Sequence, residues 1–91
     1  MPNPIRHVAD HSRFEASVDG HVCRADYRLV DGVMELTHTE VAAEVEGHGI
    51  GGELIEAALD HARAQGLKVR PLCSFARHYM DEHPETAALR A

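Results

Sequence analysis

The chain has few aromatic, cysteine and basic residues, and the shortages of cysteine and of basic residues each argue against a class of protein. Its 91 residues include no Trp, and aromatic residues make up 4% of them. Two cysteines are too few for a disulfide framework, so we expect a reducing compartment and a cytoplasmic location. Nine basic residues against 15 acidic ones give a net charge of −6. This balance argues against a nucleic-acid partner, because proteins that bind nucleic acids normally present a basic face.

Long apolar runs are also missing. No segment approaches the roughly 18 apolar residues of a membrane span, so we expect no membrane partner. We also expect no signal peptide, because residues 1–3 do not resemble the start of one. The chain is nevertheless 44% hydrophobic and 26% charged, which is the balance of a globular protein. We therefore predict one domain over residues 1–91, with residues 1–4 flexible, as a monomer or weak homodimer.

Two Asp-Gly pairs divide the first half of the chain into three strands. Asp19-Gly20 separates residues 13–18 from residues 21–30, and Asp31-Gly32 separates that run from residues 33–39. Asp-Gly between runs of alternating polarity is the strongest short-range signal for a β-hairpin. We therefore predict a three-stranded antiparallel meander that packs one face on another element.

After the third strand the apolar period becomes that of an α-helix. One face of this helix is apolar, and Gly66 is a natural C′ residue at its end. The apolar positions are Ile50, Leu54, Ile55, Ala58, Leu59 and Ala62. Residues 67–72 are typical of a short strand that Pro71 pushes to a sheet edge or a bulge. Ser74 is predicted to cap a second helix, which Pro84 ends.

The expected fold class is therefore α/β (α+β), an antiparallel meander followed by α-β-α. The two phenylalanines and Cys23 are expected in the core. Eight histidines suggest a metal site, but the pairs His7 with His11 and His78 with His83 lack a further Cys or acidic ligand. No metal is predicted.

The most informative stretch joins the third strand to the first helix and has four glycines in six residues. They are Gly47, Gly49, Gly51 and Gly52. A helix needs no such cluster to begin, but the cluster supplies unobstructed N–H groups at the positive end of a helix, where a phosphate can approach. The stretch is neither a Walker loop nor a good G-x-G-x-x-G fingerprint. A tight turn with close packing is the alternative, and a nucleotide is another candidate ligand.

The same stretch resembles the acyl-CoA pyrophosphate loop of the GNAT (GCN5-related) N-acetyltransferases. The family pattern is Gln/Arg-x-x-Gly-x-Gly/Ala after a strand with a Val five residues upstream. Glu46 stands at the first position, Gly49 and Gly51 at the small positions and Val41 upstream. The chain is more closely similar to compact, yjdJ-type GNAT-like proteins along nearly its whole length. The shared motifs are Phe14-Glu15, Asp19-Gly20, His38-Thr39-Glu40-Val41, Glu46 to Gly51, Lys68 to Cys73 and His83-Pro84-Glu85.

The resemblance implies a GNAT-like fold that binds acyl-CoA in the gap between two splayed strands. One strand would end near Val41 and the other near Cys73. Backbone groups of Thr39, Glu40 and Val41 would bond the pantetheine arm and the thioester carbonyl. N–H groups of the glycine loop would hold the pyrophosphate. The residues of this loop are Gly47, His48, Gly49, Ile50, Gly51 and Gly52.

His48 stands where related chains usually have Arg or Lys, so the loop lacks a fixed positive charge. Protonation of His48 is therefore expected to strengthen binding of CoA. The affinity should fall as the pH rises from about 6 to 8.

The resemblance further implies an acetyl-CoA-binding protein that transfers an acetyl group to an unidentified amine or thiol, on a small molecule or a protein. Cys73 would lie beside the thioester, as an acyl acceptor or a thiolate, or it is a small buried apolar residue. Tyr79 would be a general acid for the departing CoA thiolate, or it packs with Phe75. Glu40 would deprotonate an amine, or it belongs to a solvated acidic surface.

One alternative from another class stays open. The chain is shorter than full GNAT enzymes and has little room for the helices that shape an amine-acceptor site. This favours a non-catalytic acyl-CoA-binding or regulatory module.

Overall fold

The computed structural model describes residues 4–91, which form a five-stranded sheet with two α-helices on one side. The strands are β1 (Arg6–Val8), β2 (Arg13–Val18), β3 (His21–Val30), β4 (Val33–Glu40) and β5 (Lys68–Pro71), and the helices are α1 (Ile50–Gln65) and α2 (Ser74–Glu82). Short 3-10 turns cover Ala9–His11, Ala43–Val45 and Pro84–Leu89. The predicted α/β class is confirmed. Of residues 1–4, which were expected to be flexible, residues 1–3 lie outside the described residues.

Tight turns at the two Asp-Gly pairs produce the antiparallel meander. Asp19 and Asp31 each have a φ of 49°, and Gly20 and Gly32 have φ values of 80° and 78°. Two consecutive residues with positive φ make the type I′ turn, whose twist matches that of the flanking strands. The turns set the antiparallel pairing of β2 with β3 and of β3 with β4.

The meander begins one strand earlier than predicted. β1 pairs antiparallel with β2, from Arg6↔Glu15 to Val8↔Arg13. A 3-10 turn joins the two strands and ends at Ser12, which has a φ of 51°. A strand of three residues is too short for an alternating pattern, and its connection contains no Gly or Pro signal, so the sequence did not reveal it. The antiparallel part of the sheet has four strands instead of three.

Helix α1 covers the sheet with the face that its periodicity predicts. All six predicted apolar positions are buried, and Gly66 ends the helix with a φ of 69° while its N–H donates to the carbonyls of Ala62 and Arg63. Each fully buried Leu or Ile of this face contributes about 1.5–3 kcal/mol relative to an exposed one. The buried apolar residues from the sheet are Phe14, Ala16, Val18, Cys23, Ala25, Tyr27, Met34, Leu36 and Val69.

Strand β5 lies parallel to β4, and the two strands separate soon after they pair. Their register ends at Leu36↔Pro71. The N–H groups of Leu72 and Cys73 then both donate to the carbonyl of Leu36, at 3.0 and 3.1 Å, as the chain turns into α2. Strand β4 continues alone on this side to Glu40, so a gap opens between the strand ends.

The cap of α2 differs from the predicted one. Ser74 is the first helical residue, and Cys73 is the N-cap, with its Sγ accepting from the N–H of Ala76 at 3.4 Å. Cys73 still has the extended backbone of the preceding strand, which aims its thiol at the first turn of the helix. The helix ends before Pro84, as predicted. Across residues 4–91, no helix is both long and apolar enough to span a membrane.

A lattice of ion pairs lies on the side of the sheet opposite α1, and Glu35 is its least exposed member. The residue is 8% exposed. Its Oε1 accepts from Nε of Arg28 and its Oε2 accepts from Nη1 of Arg70, each at 2.8 Å. One carboxylate therefore joins β3, β4 and β5. The hydrogen bonds from Arg28 and then Arg70 hold the pKa of Glu35 below its ordinary value of 4.5.

We expect Glu35→Gln to lower the melting temperature at pH 7, because the amide cannot accept two charge-assisted hydrogen bonds. A carboxylate with a lowered folded-state pKa contributes stability above its unfolded pKa, and this contribution is lost as the pH falls through the folded-state value. The difference between wild type and variant should therefore be full at pH 7 and shrink below about pH 4.5. Thermal melts followed by circular dichroism between pH 7 and pH 4 measure this difference in melting temperature.

Asp60→Asn is the matched control for this experiment. Asp60 pairs with Arg63 on the exposed side of α1, and such exposed pairs contribute little. A Glu35→Gln effect equal to that of the control, or one independent of pH, would contradict the prediction.

Candidate functional site

A cavity of about 630 Å³ opens where β4 and β5 separate. Within residues 4–91, no strand pairs with the β5 side of β4 beyond Leu36. The backbone groups on that side of β4 are therefore available to an extended, peptide-like ligand, as at the open edge of any sheet. The lining residues are His38, Thr39, Glu40, Val41, Glu46, Gly47, Gly49, Ile50, Gly51, Gly52 and Phe75.

The cavity brings together residues from opposite ends of the predicted site. All the residues predicted to contact acyl-CoA line it except His48, which is exposed in the glycine loop. His38, Glu46 and Phe75 also line it, although they were not among the predicted contact residues. Cys73 and Tyr79 are not lining residues.

Two glycines of the loop have a left-handed backbone. Gly47 has a φ of 88° and Gly49 a φ of 74°, conformations that strain any residue with a Cβ. Gly49 is the N-cap of α1 and offers no side-chain acceptor. The first intrahelical bond runs from Glu53 N to Gly49 O at 3.1 Å. Helix geometry leaves the preceding N–H groups without intrahelical partners, and they form the positive end of α1.

The other two glycines allow α2 to pack closely on α1. A Cβ on Gly51 would lie 2.4 Å from Cζ of Phe75, and a Cβ on Gly52 would lie 3.6 Å from Cε2 of Tyr79. Phe75 and Tyr79 are four residues apart, so they share one face of α2. Close packing, the alternative interpretation of the glycine cluster, therefore accounts for Gly51, whereas backbone conformation accounts for Gly47 and Gly49.

Cys73 does not line the cavity itself but lies directly behind a residue that does. Its Sγ is 3.5 Å from Oγ1 of Thr39, which lines the cavity. The thiol is half-buried, and its sulfur also accepts a hydrogen bond from the N–H of Ala76 in the first turn of α2. The structure thus places the thiol at a helix N-terminus beside the end of β4.

Tyr79 lies away from this thiol, about 9 Å further along the axis of α2. Its ring stacks on His83 with the centroids 3.9 Å apart. Burial raises the pKa of Tyr79, and the negative charges of Glu56, Glu85 and Asp60 raise it further. The hydroxyl therefore keeps its proton and is a weaker acid toward a thiolate than an ordinary tyrosine.

Two carboxylates line the cavity. Glu40 forms an ion pair with Arg24 of β3. This pairing reduces the negative charge that an anionic ligand meets at the end of β4. Glu46 follows the 3-10 turn before the glycine loop and is exposed.

Phe75 was assigned to the core, and the structure corrects this assignment. Phe14 is 3% exposed, but Phe75 is 43% exposed and lines the cavity. The buried positions of α2 are Ala76 and Met80, which are four residues apart. Phe75 precedes the first of them by one residue and so lies on a different side of the helix. The Ala76 and Met80 spacing was the signal in the sequence that identifies the inner face.

Across residues 4–91, no group of three or more His, Cys, Asp or Glu side chains is arranged to hold a metal ion. His7, one of the histidines considered as a ligand, makes other contacts. Its Nε2 lies 2.6 Å from the hydroxyl of Tyr27, and its ring stacks on Phe14 with the centroids 4.4 Å apart.

Comparisons with known proteins point to one family. A family model described as GCN5-related N-acetyl-transferase matches residues 13–89. The NATD1 proteins of Mus musculus and Gallus gallus are 33% and 36% identical over 86 residues, which cover 89% and 91% of this chain and 78% of each relative. The solution NMR structure of a GCN5-like protein from Staphylococcus aureus matches with a TM-score of 0.78 at 29% identity, covering 100% of this chain and 91% of that chain.

We expect Gly49→Ala to lower the free energy of unfolding by about 1–2 kcal/mol, because alanine is strained at a φ of 74°. Gly52→Ala is the matched control. Gly52 has a helical backbone, and its nearest contact at 3.6 Å leaves room for a methyl group. The control should be neutral or stabilising by up to about 1 kcal/mol. Urea denaturation measures both values, and equal losses in the two variants would contradict the assignment of Gly49 to a required left-handed turn.

Proposed function

This chain belongs to the GCN5-related N-acetyltransferase family, and from this premise we propose that it binds acetyl-CoA in the cavity between β4 and β5 and transfers the acetyl group to an amine or thiol. One observation supports this proposal above all. The open side of β4 leads directly to the N-terminus of α1, whose cap lacks a side chain. An extended arm with amide groups suits the strand, and a diphosphate suits the helix end.

The glycine loop would hold the diphosphate by its N–H groups. The protein has a net charge of −6, so its overall field opposes a polyanion. Local dipoles must then supply the attraction, and the N-termini of α1 and α2 both adjoin the cavity. His48, exposed in the same loop, would add a positive charge when protonated.

The end of β4 would hold the pantetheine arm and the thioester. Backbone groups of Thr39, Glu40 and Val41 lie on the cavity wall where β5 has turned away. A thioester bound beside Thr39 would lie next to the Cys73 thiol, because the two side chains are 3.5 Å apart. A backbone N–H at Val41 would stabilise negative charge that develops on the carbonyl oxygen.

We propose Cys73 as the residue that accepts the acetyl group. Its thiolate attacks the thioester carbonyl carbon, a new C–S bond forms, and the bond to the CoA sulfur breaks. The proton lost by Cys73 is returned to the CoA sulfur, so the exchange needs no oxidant or reductant. The acceptor amine or thiol then takes the acetyl group from Cys73. Glu40 would take the proton of an amine acceptor, although its ion pair with Arg24 opposes that role.

Calorimetric titration with acetyl-CoA tests the ligand. We expect saturable one-to-one binding to the wild-type protein at pH 6 and at pH 7.5. ATP, titrated under the same conditions, is the control ligand and should bind much more weakly, because it lacks the pantetheine arm. If acetyl-CoA does not bind at either pH, the proposed function is wrong.

Mass spectrometry of the intact protein tests the role of Cys73. After incubation with acetyl-CoA, we expect wild type to gain the mass of one acetyl group and Cys73→Ala to gain none. Cys23→Ala is the control, because Cys23 is fully buried in the core and should not react. A Cys73→Ala variant that binds acetyl-CoA and transfers the acetyl group at the wild-type rate would remove Cys73 from the mechanism. Binding by wild type with no transfer to any amine or thiol would favour the non-catalytic module.

A further inference from the structure

Phe75 is a large apolar side chain that the fold leaves partly exposed. It is 43% exposed, and it lies in the first turn of α2 on the wall of the cavity. Exposed aromatic surface costs free energy in water, at roughly 25 cal/mol for each Å². A ligand that covered the ring would recover this free energy.

The ring lies against the first turn of α1. Its Cζ is 2.4 Å from the position that a Cβ on Gly51 would occupy, and its Cε1 and Cε2 are 3.0 Å from the same point. Only a residue without a side chain allows this approach. Gly51 therefore lets the Phe75 ring reach the cavity wall between the glycine loop and the N-terminus of α2.

This position is between the two ends of the proposed site. Phe75 follows the thiol-bearing Cys73 by two residues, and its ring contacts Gly51 of the loop proposed to hold the diphosphate. A ligand with its thioester at Cys73 and its diphosphate at the loop must extend past the ring. The part of acyl-CoA between those two groups is the pantetheine arm, which contains methylene and methyl groups.

We propose that Phe75 is a specificity residue that contacts the pantetheine arm and discriminates acyl-CoA from nucleotides lacking it. The proposal rests on the proposed acetyl-CoA site and adds the basis of its selectivity. The glycine loop offers the same N–H groups to any diphosphate. The apolar ring stabilises only a bound ligand that extends past it toward Cys73.

Two ligands separate the contribution of the ring from that of the loop. Acetyl-CoA has both the diphosphate and the pantetheine arm, whereas 3′-phospho-ADP has the same nucleotide and diphosphate without the arm. We expect Phe75→Ala to weaken acetyl-CoA binding about 10-fold in calorimetric titrations, from the apolar area that is no longer covered. Binding of 3′-phospho-ADP should change less than about 2-fold. Phe75→Leu, which keeps apolar contact, should recover part of the loss.

Leu72→Ala is the matched control variant. Leu72 is also 43% exposed and lies three residues earlier, but it does not line the cavity. It should bind both ligands as wild type does. Urea denaturation of each variant checks that its stability is maintained.

The outcomes separate this proposal from the one on which it rests. Wild type that binds acetyl-CoA, with Phe75→Ala binding it equally well, would overturn the role of Phe75 and leave the proposed function intact. An equal loss of affinity for both ligands in Phe75→Ala would also overturn it, because the ring would then act by shaping the loop. Wild type that binds no acetyl-CoA would reject the proposed function itself.

Discussion

The short parallel pairing of β4 with β5 is the constraint on which the rest of the structure depends. It ends at Leu36, whose carbonyl accepts the N–H groups of both Leu72 and Cys73. A carbonyl has two acceptor positions, so one residue can end the strand and turn the chain into α2. The cavity, the exposed edge of β4 and the position of the Cys73 thiol all follow from this turn. Glu35, one residue earlier on β4, holds the same strands together from the other side of the sheet through Arg28 and Arg70.

Two helix N-termini meet at one cavity. Gly49 caps α1 without a side chain, and Cys73 caps α2 through its sulfur. An acidic chain that binds a polyanion has to do so by such local dipoles, because its net charge is repulsive. The ion pair between Glu40 and Arg24 fits the same requirement, since it reduces the carboxylate charge next to the loop. Family membership and local electrostatics are independent arguments that both support the proposed acyl-CoA ligand.

The glycine cluster shows how one pattern can have several causes. From the sequence, four glycines before a helix favoured a phosphate site, with close packing as the alternative. In the structure, Gly47 and Gly49 adopt backbone conformations that other residues avoid, and Gly51 makes room for the Phe75 ring. The two interpretations are therefore compatible. The glycines shape the turn and make room for α2, and the N-cap Gly49 leaves the N-terminus of α1 without a side-chain cap.

Local patterns by themselves determined most of the elements. The Asp-Gly pairs specified both hairpins, the apolar period and Gly66 specified the inner face and the end of α1, and Pro71 marked an edge strand. Each of these depends on sequence preferences within a few residues. Tertiary structure decided what no local pattern contains. Strand β1 exists only by pairing with β2, the cap of α2 depends on how β5 leaves the sheet, and the exposure of Phe75 depends on which face of α2 meets α1. The nearness of Thr39 to Cys73, 34 residues apart, likewise arises from the parallel pairing of their strands, a contact whose formation depends on the whole fold.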